Sequence, residues 1–151
     1  MNQPRVLIVD KSLDEFPAAL RHAPTLTVVG EAQTAPQALT LAGQLHPDVI
    51  LLNVEALCAA DVQLVALLNQ LYPHIKLMLV SAHPTPDDLL LEAYRQGVRA
   101  YLLKTQTTLA EMVEAAHALS RGESVLNPQL AGGILDEIAR SPHKESSEQN
   151  K

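Results

Sequence analysis

Pro47-Asp48-Val49-Ile50-Leu51-Leu52-Asn53 is an apolar run closed by one polar residue, and its reading decides the fold. Such a run has the form of a buried strand, covered on both faces, that presents a side chain at its tip. Three other runs repeat the form. Arg5-Val6-Leu7-Ile8-Val9 reaches Asp10, Lys76-Leu77-Met78-Leu79-Val80 reaches Ser81, and Ala100-Tyr101-Leu102-Leu103 reaches Lys104. Of the four tips, Asn53 carries the decisive chemistry: an amide is no useful nucleophile where an aspartate would be one.

Outward from these runs the chain alternates short apolar segments with longer helical patterns, the signature of a parallel sheet with crossover helices. Strands are expected at roughly 5–10, 26–32, 48–53, 76–82 and 99–103, and helices at about 13–23, 35–45, 61–72, 86–97 and 108–121. Thr85-Pro86-Asp87-Asp88 offers an N-cap, a proline at the first helical position and acids in the first turn. Thr108-Leu109-Ala110-Glu111 fits a capping box, and Gly97 and Gly122 stand where C-terminal caps belong. Right-handed crossovers then give an open, doubly wound α/β sheet of five parallel strands in the order 2-1-3-4-5. In that order a site forms at the carboxyl ends of the strands, beside the switch point between the first and third. Asp10, Asn53, Ser81 and Lys104 are all expected there. A sixth helix is expected over about 128–140, where Asn127-Pro128 precedes Leu130, Ile134, Leu135 and Ile138 at helical spacing. The polar stretch 141–151 is expected to be disordered. The organisation read is a domain over 1–124, a linker helix over 125–140 and a tail over 141–151.

The 151 residues suit one domain with a sizeable core. One Phe, three Tyr and no Trp leave few platforms for stacking nucleobases. A net charge of −6 argues against a dedicated nucleic-acid surface. The single cysteine, Cys58, cannot form an intramolecular disulfide and suits a reducing cytoplasm. The apolar runs fall far short of the roughly 20 residues that span a bilayer, and the N-terminus lacks a signal-peptide pattern. A cytoplasmic domain is expected, without membrane or direct nucleic-acid partners. No Gly-rich phosphate loop follows the first strand, where Asp10-Lys11-Ser12-Leu13 stands, which disfavours nucleotide cofactors.

In order and spacing, the stretches 6–10, Val28-Val29-Gly30-Glu31-Ala32, 47–52 and 100–104 resemble a response-regulator receiver domain. The type is the one that precedes a LuxR-like helix-turn-helix in the NarL/FixJ family, with the flavodoxin-like receiver fold. Arg121-Gly122-Glu123 and Leu126-Asn127-Pro128 are similar to that family's exit into its linker. The resemblance implies a phosphoacceptor aspartate ending the third strand and a Mg²⁺ held by that residue, by two adjacent acids after the first strand and by a backbone carbonyl two residues further on. It also implies a Ser/Thr and a Lys on the phosphoryl oxygens. Asp10, Ser81 and Lys104 match by position, and Tyr101 matches the aromatic switch. Lys11 replaces the second acid, Asn53 replaces the phosphoacceptor, and Glu55-Ala56-Leu57-Cys58-Ala59-Ala60-Asp61 lacks the family's Pro and Gly.

These departures turn the pocket's charge around. Asp10 contributes −1, Lys11 and Lys104 +1 each and Asn53 nothing, giving +1. Mg²⁺ prefers carboxylates and water, so its binding is expected to be lost or weak, with Lys11 or Lys104 pairing with Asp10 in its place. Lys11 pointing to solvent stays as an alternative. The chain is expected to be no enzyme and to have no cofactor. It should act as a phosphorylation-independent interaction module in bacterial signalling or transcription control, with a protein or a second copy as partner. The expected surfaces are helix four, strand five and helix five, marked by Val98, Arg99 and Tyr101, or the face of helices one and five. Tyr101 is either a relic of the switch or a packing aromatic at an exposed edge. Two other functions stay open: the amino-terminal part of a LuxR-type regulator, and a small-molecule or anion-binding domain using Lys11 and Lys104. Ser81 with His83 lacks the fixed acid of a hydrolase, the six histidines (22, 46, 74, 83, 117 and 143) show no ligand spacing, and Cys58 is expected to be a buried or half-buried inert thiol.

Overall fold

The alternation of the apolar runs sets the layers. A computed structural model describes residues 3–11, 16–125 and 132. Its strands are β1 (Arg5–Asp10), β2 (Thr27–Ala32), β3 (Val49–Val54), β4 (Lys76–Ser81) and β5 (Val98–Leu103). Between and after them lie α1 (Phe16–Arg21), α2 (Ala35–Leu45), α3 (Ala59–Leu71), α4 (Asp87–Arg95) and α5 (Leu109–Ser120), the last preceded by a 3-10 turn over Lys104–Gln106. All strand pairs are parallel, in the expected order β2-β1-β3-β4-β5. The expected helix over 128–140 and the tail over 141–151 lie outside the described residues.

Successive side chains of a strand point to opposite faces, and both faces are buried. Leu7, Val9, Ile50, Leu52, Leu77 and Leu79 pack against α2, α3 and α4 through Ala38, Ala42, Val65, Leu68, Leu90 and Ala93. Val6, Ile8, Val49, Leu51, Met78 and Val80 pack against α1 and α5 through Leu20, Met112, Ala115, Ala116 and Leu119. This two-sided cover explains why the strands read as continuous apolar runs and not as alternating ones. Asp48 fixes the start of the β1–β3 pair, because its carboxylate accepts the Arg5 N–H at 2.8 Å.

Several helix ends follow the sequence, but α1 ends at Arg21, two residues before the expected 23, and the starts of α3 and α4 also differ. Thr108 and Glu111 form the expected box at α5: Glu111 N–H donates to the Thr108 hydroxyl at 3.1 Å, and Thr108 N–H donates to the Glu111 carboxylate at 2.9 Å. Gly122, at φ 87°, closes α5, with the Gly122 and Glu123 N–H groups returning to the Leu119 and Ala118 carbonyls. Thr85, expected to cap α4, does not: the cap position is Pro86 and carries no side-chain bond. The start of α3 falls two residues before the expected 61 because Cys58 caps it, with Asp61 reaching back to the Cys58 N–H at 3.1 Å.

Candidate functional site

The sheet delivers its polar tips to one edge. Asp10 and Asn53 are register partners on neighbouring strands, Val54 is paired with Ser81, and Ser81 with Leu103, the residue before Lys104. The four residues read as a site are thus brought together at the carboxyl ends of β1, β3, β4 and β5, as expected.

Asn53 is fully buried, and its amide Nδ2 donates to the Asp10 carboxylate at 3.0 Å. The carboxylate, an acceptor only, fixes which end of the amide faces it. Lys11 continues from β1, with its backbone N–H on the Asn53 carbonyl at 2.9 Å. Its ammonium does not go to Asp10, nor does it point to solvent. It pairs with Asp61 at 2.6 Å, which corrects the Lys11 half of the expectation that Lys11 or Lys104 pairs with Asp10. Asp61 is only 2% exposed, in a fold where just three other polar residues, Asn53, Ser81 and Thr85, are among the buried ones described. Its carboxylate also takes the Cys58 N–H at 3.1 Å and the Cys58 thiol at 3.2 Å.

Asp61 is the residue that reading the sequence missed. It stood in the remodelled loop as part of a helix start, eight positions beyond Asn53. A usable signal was present: a lysine placed among strand tips calls for an acid of its own, and Asp61 is the acid that the loop supplies. With Asp61 counted, the charge is −1 each from Asp10 and Asp61 and +1 each from Lys11 and Lys104, so the surplus of +1 becomes zero.

Ser81 is buried and donates its hydroxyl to the His83 carbonyl at 2.7 Å. The His83 ring faces Glu55 at 3.8 Å, with both side chains exposed. Serine and imidazole are therefore not a nucleophile–base pair. Cys58 is exposed, against the expectation of a buried or half-buried thiol, although its thiol donates to Asp61. Of the histidines within the described residues, 22, 46, 74 and 83 are exposed and 117 is half-buried. No cluster of three or more His, Cys, Asp or Glu arranged for a metal occurs among the described residues.

The surface read on β5 needs correction. Tyr101 and Val98 are buried, at 0% and 1% exposure, and neither marks a surface. Tyr101 faces inward and donates its hydroxyl to Thr85 at 2.9 Å, which is where the hydroxyl expected to cap α4 is used. Arg99 alone reaches outward, since the register with β4 skips it between Leu77↔Val98 and Met78↔Ala100. It stacks on the Tyr94 ring at 4.6 Å and donates to the Tyr94 and Val98 carbonyls.

No family profile matches the chain. It is 33% identical over 120 residues to the transcriptional regulatory protein NarL of Mycobacterium tuberculosis, covering 80% of this chain and 55% of that protein. It is 29% identical over 124 residues to the transcriptional regulatory protein YxjL of Bacillus subtilis, covering 82% of this chain and 56% of the other. The signal receiver domain of the response regulator NarL from M. tuberculosis superposes with a TM-score of 0.68 at 29% identity, over 82% of this chain and all of that one. The chain spans about half the length of the curated relatives it matches. Among the described residues no helix is long and apolar enough to cross a membrane.

Proposed function

We infer that this chain, a response-regulator receiver domain of the NarL/LuxR kind by fold and similarity, works without phosphate, as a protein-interaction module in bacterial signalling or transcription control. One observation carries the reading. At the end of β3, where the resemblance puts a phosphoacceptor, stands Asn53, fully buried and donating its amide to Asp10. An amide nitrogen delocalised into its carbonyl offers no lone pair for attack on phosphorus, and this one is already bonded to the neighbouring carboxylate.

The donor set supports the same reading for Mg²⁺. That ion requires near-octahedral oxygen ligands, usually carboxylates, and keeps several waters. Here the amide turns N–H groups toward Asp10, and the next residue in β1's path is an ammonium. Asp61, a carboxylate near Lys11, is occupied by three donors. These residues do not fit the ion, and no phosphoryl step is derived through it. The partner is then a protein or a second copy of the chain, met at the face of α4, β5 and α5 or at that of α1 and α5.

The test is incubation of the chain with acetyl phosphate and MgCl₂, read by intact mass. The expected spectrum is unchanged. An acid-labile phosphoryl adduct on this chain would overturn the reading.

A second reading rests on the coverage of the relatives, of which the chain spans about half: the chain is the amino-terminal receiver part of a LuxR-type DNA-binding regulator. The length of the natural open reading frame separates the two. A small-anion site at Lys11 and Lys104 is weakened, because Asp61 already neutralises Lys11.

A further inference from the structure

We propose that the Lys11 ammonium is the resident cation of the strand-end site, and that Asp61 is the residue that positions it. The pair locks the exit of β1 to the amino end of α3, so that this edge of the sheet is complete without a dissociable ion. The inference deepens the phosphate-independent reading and rests on it.

Three observations point the same way. Asp61 is nearly inaccessible to water, and a buried carboxylate is costly unless paired and hydrogen-bonded. The ammonium at 2.6 Å supplies the charge, while the Cys58 N–H and thiol satisfy the other oxygen. Lys11 is held at two points, its backbone N–H on the Asn53 carbonyl at 2.9 Å and its ammonium on Asp61. The side chain therefore spans from the β1–β3 switch point to the first turn of α3. Finally, the Lys11 side chain is 31% exposed while its partner Asp61 is 2% exposed, so the lysine reaches from the surface to a buried acid.

A cation tethered by its own backbone cannot leave, which distinguishes it from a bound metal. An edge held by an exchangeable ion tightens or loosens with ion concentration; an edge held by Lys11 does not. The strand-end surface is thereby fixed in one state, as an unswitched interaction module requires.

The experiment is thermal unfolding of the full chain and of Lys11→Met, Asp61→Asn and the double variant, followed by circular dichroism. Each is measured with MgCl₂ and with NaCl at matched ionic strength. The unsubstituted chain is expected to have the same Tm in both salts. Lys11→Met is expected to lower Tm by about 5 °C, because a buried acid loses its counter-ion. Asp61→Asn also loses part of the helix cap, so the coupling is the readout: the double variant should fall clearly less than the sum of the two single losses. Strictly additive losses, or a Tm of the unsubstituted chain that rises with Mg²⁺ beyond the NaCl control, would overturn the proposal. A phosphoryl adduct in the mass experiment refutes the phosphate-independent reading by itself, whatever the Tm values, so the two failures are distinguishable.

Discussion

Asn53 and Asp10 meet as donor and acceptor because they are register partners at the ends of adjacent parallel strands. Asn53→Asp would replace the donor with a second acceptor at a fully buried position. Near neutral pH this buries a second acid against Asp10, at a cost either of charge repulsion or of holding a proton, with an expected loss of about 2 kcal/mol in urea unfolding. The sign with pH follows from the new carboxyl. When protonated it can donate to Asp10 and the penalty is small; burial beside Asp10 raises its folded-state pKa above the unfolded value of about 4, so the penalty grows as pH climbs from there. A variant as stable as the parent at neutral pH would show that the amide bond does not matter. Asp10, Asn53, Ser81 and Lys104 were legible because each ends an apolar run, a local signal. Asp61 was not, since its burial depends on α3 folding back over the exit of β1, and no local pattern separates a buried acid at a helix start from a solvated one.

Helix α5 shows what a single element adds. The Glu111 carboxyl lies below the usual carboxylate range, chiefly because the Thr108 backbone N–H donates to it and secondarily through the Thr108 hydroxyl. A lowered folded-state value means that the stabilisation is present above the unfolded value, near 4.5, and fades as pH falls through the lower folded one. Glu111→Gln keeps the shape and removes the charge. Its Tm should lie below that of the parent at neutral pH and approach it in acid; a constant gap across that range would contradict the assignment. Thr108→Ala, which removes the hydroxyl that caps the Glu111 N–H, should cost about 1 kcal/mol. This box was readable from sequence because both partners lie three residues apart. The same rule failed at Thr85, whose hydroxyl is engaged by Tyr101, sixteen residues away. Local capping rules hold until a buried group from another strand competes for the same hydroxyl.

At the scale of the molecule, the strand order followed from apolar periodicity and crossover handedness, because a sheet covered on both faces writes its pattern into every strand. Which β5 residues reach the surface did not follow, since the skipped register at Arg99 turns outward a residue that simple alternation would have paired. The consequence for function is energetic. A ligand shifts a conformational equilibrium only by its differential affinity for the two states. Tyr101 is already turned inward onto Thr85, and on the phosphate-independent reading proposed above acetyl phosphate has no acceptor through which to act on that arrangement. The assembly state of the chain, whether monomer or dimer, should therefore be the same with and without acetyl phosphate and MgCl₂. Light scattering coupled to size exclusion measures this directly at several protein concentrations. A mass that changes with acetyl phosphate but not with an equal concentration of acetate would mean that the phosphoryl donor acts on this fold by a route that does not use Asn53. A mass that depends on protein concentration alone would identify a second copy as the partner, formed by contacts that need no switch.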